Sequence, residues 1–132
     1  MSLQESMLEA IEEELKQQVA RLDQPRTGQF HEMLTYHMGW TGEGAGSEAA
    51  GKRIRPLLVL LSAASCLGGD MKNELGIVLN WLHAKSAAAA IELIHNFSLV
   101  HDDIQDNSSK RRGRPTVWVK WGAPMAINVG DA

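Results

Sequence analysis

Residues Glu92–Asp106 read E-L-I-H-N-F-S-L-V-H-D-D-I-Q-D, a run without Pro or Gly. Set on a helical wheel at about 100° per residue with Asp102 at zero, His95 falls at about 20°, Asp106 at about 40°, Glu92 at about 80° and Asp103 at about 100°. Leu93, Ile94, Phe97, Val100 and Ile104 take the opposite side. The period is helical, so the stretch predicts an amphipathic helix. Its polar face carries one Glu, one His and three Asp, with no Lys or Arg to neutralise them.

Working outward, the helical pattern reaches back to about Met71, with a break expected near Gly76 and an Ala87–Ala90 run that permits close packing. Arg55–Leu67 predicts a buried helix, with Pro56 in its first turn and Gly68-Gly69 at its end. Thr41–Gly51 has glycines at 42, 44, 46 and 51 and predicts a mobile loop. A short helix with Phe30, Met33, Leu34 and His37 on one side precedes it. Residues 3–22 predict the first helix. There Leu8, Ile11, Leu15, Val19 and Leu22 recur at helical spacing behind a Ser2/Glu5 capping box. Asn107–Gly122 is polar and irregular. Pro124 opens a last helix that has barely begun at Ala132, the pattern of a truncated chain. No repeat and no strand pattern stands out, so the expected class is all-α.

With 132 residues, 44% of them hydrophobic and 22% charged, the chain fits one soluble globular domain. The longest apolar candidate, Leu57–Leu67, is broken by Ser62 and Ser65, and the first ten residues are acidic. A membrane span and a signal peptide are therefore not expected. The single cysteine, Cys66, excludes an internal disulfide, suits a reducing cytoplasm and reads as a small core residue. A net charge of -3 argues against a general nucleic-acid binder.

The charges are clustered, and the clusters carry chemistry. Asp102, Asp103 and Asp106 repel one another at helical spacing, and acids near a helix C-terminus oppose the dipole. A cation among them would relieve both effects. Oxygen-only ligands suit a hard ion, and Mg²⁺ fits best because it takes one or two carboxylates and fills its shell with water and substrate phosphate oxygens. A second cluster is G-K-R-I-R-P, Gly51–Pro56, where Lys52 and Arg55 lie three apart at a helix start. Free amides there already favour an anion. The third is Lys110-Arg111-Arg112-Gly113-Arg114, whose tandem arginines can each grip a different anion in forked geometry. Acids immediately upstream would spoil a nucleic-acid patch. Taken singly, these are a solvated acidic face and two basic loop ends. Together they point to metal-assisted chemistry on diphosphates.

In that order and spacing, G-K-R-I-R-P at 51–56, the Glu92–Asp106 run, R-R-G-R-P-T at 111–116 and G-D-A at 130–132 resemble the trans-isoprenyl diphosphate synthases, the polyprenyl synthetase family. The resemblance runs from about Tyr36 to Ala132. It implies an antiparallel helix bundle of the isoprenoid synthase type, with residues 1–132 as the amino-terminal part of a single domain. It further implies a cytoplasmic homodimer that condenses isopentenyl diphosphate with an allylic diphosphate. Asp102, Asp103 and Asp106 match the first aspartate-rich motif, which binds Mg²⁺ (two or three ions in the full-length parent). Arg111 matches the arginine that holds the allylic diphosphate. Lys52, Arg55, His95 and Arg112 match the isopentenyl diphosphate site. Phe97, five residues before Asp102, resembles the aromatic floor that limits products to farnesyl or geranylgeranyl length. On the wheel it points about 140° away from Asp102, which suits core packing equally.

Two features depart from the family pattern. The segment between Asp70 and Ala88 is long and contains Gly76, Trp81 and Lys85. The family's second aspartate-rich motif has no counterpart up to Ala132, so the isolated chain is expected to be inactive and to self-associate through exposed core surface. Other readings are weaker. Glu92 and His95 form an E-x-x-H as in di-iron bundles, which need a second copy. His101-Asp102 forms the H-D doublet of helical metal phosphohydrolases, for which His31 and His37 are the remaining histidine candidates, but His101 lies about 100° from Asp102. A non-catalytic diphosphate-binding or regulatory subunit is the alternative from another class. Trp118 and Trp121 are expected to anchor the loop after the arginines.

Overall fold

A computed structural model describes residues 2–67, 71–72 and 78–131. The fold divides into two compact units, one formed by Met1–Gln17 and Arg53–Glu92, the other by Gln18–Lys52 and Leu93–Ala132. Two helices, α1 (Leu3–Ala20) and α5 (Lys85–Gln105), run from one unit into the other.

In the first unit, α1 opens on the expected capping box. The Ser2 amide donates to Glu5 Oε2 at 2.7 Å and the Glu5 amide donates to Ser2 Oγ at 3.2 Å. These bonds hold the Glu5 carboxyl below its ordinary pKa, so the cap is complete at neutral pH and is lost as acid protonates Glu5. Met7, Ile11 and Leu15 form the buried stripe of this part of α1, with Leu8 only half-buried beside it. Glu14 is buried on the same side and is met by Lys85 Nζ at 3.5 Å and by Ser86 Oγ, which donates at 3.2 Å.

Helix α4 (Ile54–Leu67) departs from expectation. Pro56 and Leu60 are buried, but Ile54, Leu58 and Leu61 are 54%, 57% and 37% exposed. Cys66 is exposed as well, not a core residue. An apolar helix needs cover on all sides to be buried, and this unit covers one side of α4.

The helical pattern expected from about Met71 to Asp106, with its break near Gly76, becomes helix only in its later part. Met71–Lys72 (β1) pairs antiparallel with Val78–Leu79 (β2), and Gly76 lies outside the described residues. A 3₁₀ turn, Trp81–Ala84, follows, capped by Asn80, whose Oδ1 accepts from the Leu82 amide at 3.0 Å. Helix α5 starts only after it.

The second unit packs α2 (Gly28–His37), the lower half of α5, α6 (Val117–Trp121) and α7 (Ala123–Asp131) around Met33, Tyr36, Val100, Val117, Ala126 and Val129. Trp118 and Trp121 pack against this core, and Trp118 Nε1 donates to the Ser108 carbonyl at 2.8 Å. Both therefore anchor the loop after the arginines, as expected.

The Thr41–Gly51 loop is pinned by side chains rather than left loose. It includes one helical turn, α3 (Ser47–Ala50), and the Gly46 amide bonds the Gly39 carbonyl at 3.0 Å. Glycine content misled here: the glycines make room for arginine side chains from the hairpin described below.

Candidate functional site

Helix α5 sets the site, and its buried face is not the one the wheel selected. Ala88, Ala89, Glu92, Asn96, Val100 and Asp103 are buried, while Ile91 is 43% and Ile94 68% exposed. Three of those six buried residues are polar, and each is matched within its own unit. Glu92 Oε1 accepts from Arg53 Nη1 at 3.2 Å, Asn96 Oδ1 lies 3.1 Å from His37 Nε2, and Asp103 is held by Arg111. Burying polar groups is tolerable because all are hydrogen-bonded. The wheel put Glu92 and Asp103 on the polar face, opposite the apolar side.

The helix stops in a Schellman motif. Asn107 takes a left-handed φ of 52°, the Ser108 amide donates to the Asp103 carbonyl at 2.9 Å, and the Asn107 amide donates to the Ile104 carbonyl at 3.2 Å. Asp102, Asp103 and Asp106 therefore occupy the final turn, where free carbonyls disfavour a carboxylate. Asp103 points inward, 3% exposed, and is gripped in a fork by Arg111, with Nη2 donating to Oδ1 at 2.7 Å and Nε to Oδ2 at 2.9 Å. Asp102 and Asp106 are exposed and have no side-chain hydrogen bond or ion pair among the described residues. The expectation of three equivalent ligands thus divides into one aspartate engaged by an arginine and two left open. Among the described residues no group of three or more His, Cys, Asp or Glu is arranged as a cage for a metal ion.

Arg111 and Arg112 belong to a two-stranded hairpin, Lys110–Arg111 (β3) against Arg114–Pro115 (β4), in which Arg111 and Arg114 are cross-strand partners. Its two-residue turn, Arg112-Gly113, has positive φ at both positions, 53° and 75°, as a turn matching strand twist requires. Glycine meets that demand freely; Arg112 meets it at a steric cost. The turn sends neighbouring arginines to different acceptors. Arg111 goes to Asp103, Arg112 Nη1 donates to the Ala49 and Ala50 carbonyls at 3.1 Å each, and Arg114 goes to carbonyls of Tyr36, Thr41 and Glu43. Arg111, Arg112, Asp103 and His37 line one small cavity. The hydrogen bonds that Arg111 donates to Asp103 raise its pKa further above the ordinary value, burial opposes this, and the Asp103, Asp102 and Asp106 charges add to the rise. Arg111 is a permanent cation at working pH.

The other expected site residues are less constrained. Lys52 is exposed with no side-chain partner among the described residues, and Arg55 is exposed in the first turn of α4. His95 and Phe97 are half-buried along α5. Glu92 spends its carboxylate on Arg53, and His101 Nε2 lies 3.1 Å from the Ile127 carbonyl, so neither the E-x-x-H nor the H-D reading gains a metal partner. Two residues of the site's surroundings escaped sequence reading. Arg53 and Arg114 both stood inside quoted motifs, but nothing in a run of arginines marks which of them is buried.

Residues 45–132 match the polyprenyl synthetase family. The chain belongs to that family. Among its relatives, the geranylgeranyl diphosphate synthase of Saccharolobus solfataricus is 55% identical over 83 residues, which cover 63% of this chain and 22% of that one. The (2E,6E)-farnesyl diphosphate synthase of Mycobacterium tuberculosis is 40% identical over 126 residues, 94% of this chain and 31% of the relative. A solved polyprenyl synthetase from Streptomyces coelicolor A3(2) superposes on 96% of the chain with a TM-score of 0.74 at 34% identity, and the match covers 34% of that structure. The fold is therefore that of the isoprenoid synthases. The chain spans between 22% and 34% of the length of these polyprenyl synthetase relatives. Among the described residues no helix is long and apolar enough to cross a membrane.

The core of this polyprenyl synthetase unit has a spectroscopic handle, because Tyr36 is the chain's one tyrosine. It is 5% exposed, its hydroxyl donates to the Pro115 carbonyl at 2.6 Å, and burial pushes its pKa up while the Arg114 charge pulls it partly back. Tyrosinate absorbance should appear above the ordinary value of about 10. The linked stability is fully present below that value and is lost as pH rises through the raised one. An absorbance titration with a midpoint at or below 10 would contradict this geometry.

Proposed function

We propose that the chain is the amino-terminal part of an isoprenoid synthase domain whose full-length protein condenses isopentenyl diphosphate with an allylic diphosphate. One observation carries the reading. Two carboxylates without a protein partner stand at a helix C-terminus beside a permanently charged arginine, in a fold whose relatives are named as prenyl diphosphate synthases.

The donor set fits Mg²⁺. Asp102 and Asp106 are one helical turn apart, offer only oxygen and make no ion pair among the described residues, and Mg²⁺ asks for no more than one or two carboxylates. When bound, the ion would supply charge stabilisation to a departing diphosphate. Asp103 orients Arg111, whose outer N–H groups remain for a phosphate oxygen. Arg112, Lys52, Arg55 and His95 are the candidates for the second diphosphate. The half-buried hydrocarbon side of α5, with Phe97 on it, would keep water from the allylic chain as it ionises, and the isopentenyl double bond then attacks and loses a proton.

The test is product formation by the full-length protein from labelled isopentenyl diphosphate and an allylic primer, with and without Mg²⁺. No prenyl product under any condition would sink the reading in favour of a diphosphate-binding subunit. The isolated chain, with one aspartate-rich motif, is expected to show no turnover. Phe97 lies five residues, about 7.5 Å of helix, before Asp102. Phe97→Ala should shift the product distribution to longer chains by at least one isoprene unit in chromatography, and an unchanged distribution would return Phe97 to plain packing.

A further inference from the structure

We infer that Arg114 is a positioning residue for Arg111, an inference that rests on the diphosphate reading above. Arg114 is 6% exposed, yet no carboxylate lies within ion-pair distance of it among the described residues. Its acceptors are backbone carbonyls instead: Nη1 donates to Tyr36 at 2.8 Å, Nε to Glu43 at 3.0 Å, and Nη2 to Thr41. Its guanidinium carbon also sits 4.0 Å over the Tyr36 ring. The loop is shaped to admit it. Gly42 has a φ of 84°, and a Cβ there would come within 2.9 Å of Tyr36 Cδ2 and 3.0 Å of Arg114 Nη2.

A buried cation without a counter-ion is costly in isolation. Arg114 also faces Arg111 directly across the hairpin, where like charges repel. Both costs are offset if an anion is held on Arg111, since the buried charge then adds to the attraction and the three-carbonyl clamp fixes the strand opposite. With the Tyr36 hydroxyl on the Pro115 carbonyl at 2.6 Å, β4 is clamped at both of its residues. Arg111 is presented from β3, the strand paired with this clamped one.

The probe is inorganic diphosphate, and the readout is its Kd for the full-length protein by calorimetry in a double-mutant cycle. Arg114→Met should weaken binding about tenfold or more, the range that misplacing a gripping group produces. In an Arg111→Met background the same change should alter Kd by less than about twofold, because nothing is left to position. Arg114→Lys keeps the charge but cannot fork to three carbonyls, and it should show the same non-additivity if the Met variant does not fold. An unchanged Kd in the Arg114 variants, or effects that add to those of Arg111→Met, would overturn the inference. A silent Arg111→Met would instead overturn the diphosphate reading itself.

Discussion

Asp102→Asn together with Asp106→Asn should lower kcat/KM of the full-length protein by at least about a hundredfold, the scale for removing groups that stabilise developing charge, while leaving its thermal midpoint unchanged or slightly higher. The separation of the two effects follows from placement. Both side chains are exposed, neither has a side-chain hydrogen bond or ion pair among the described residues, and Asp102 in the last turn of α5 and Asp106 at its C-cap carry charges that oppose the dipole. Removing them relieves repulsion and breaks no hydrogen bond or ion pair, and it gives up only a longer-range attraction to Arg111. Asp103→Asn should behave differently, losing stability and activity together, because its buried carboxylate is the anchor of Arg111. Wild-type activity in the double variant would show that these two aspartates are not the metal ligands.

Arg53→Met should destabilise the first unit by about 3–5 kcal/mol, the usual cost of leaving a buried charge without its partner. Arg53 and Glu92 are 4% and 3% exposed, and the arginine also bonds Glu12 through Nε. Glu12 is more open and can turn to water; Glu92 cannot. Adding Glu92→Leu to the same protein should recover most of the loss, since a packed apolar pair replaces a buried ionic one at little net cost. Chemical denaturation of the two variants measures both. A single variant within about 1 kcal/mol of the parent would mean that the pair carries little net stability.

The helix class, the α1 cap, the anchoring tryptophans and the polyprenyl synthetase motifs were all legible in the sequence. They rest on local signals: spacing, a capping residue, motif order. The errors share a different origin. The apolar pattern of Arg55–Leu67 promised burial, but burial depends on what a helix packs against, and Leu58 and Leu61 are open. Residues 41–51 looked loose because glycine is permissive, whereas arginines from a hairpin far along the chain fill the space that glycine leaves. On α5 the wheel set Glu92 and Asp103 opposite the apolar side, although a carboxylate with a partner is at home inside. No local pattern distinguishes the buried Arg53 and Arg114 from their exposed or half-buried neighbours.

The matched polar stripe of α5 also sets its azimuth. A helix seated on leucines could roll, or slip by a turn, and still bury hydrocarbon. Within the second unit Asn96 and Asp103 each fit a different partner, in His37 and Arg111, so any slip would orphan both buried polar groups at once, at roughly 1–3 kcal/mol apiece. Asp102 and Asp106 inherit that angular precision without making a contact of their own. The helix behaves as a keyed shaft, with the key cut along the buried side and the working edge facing outward.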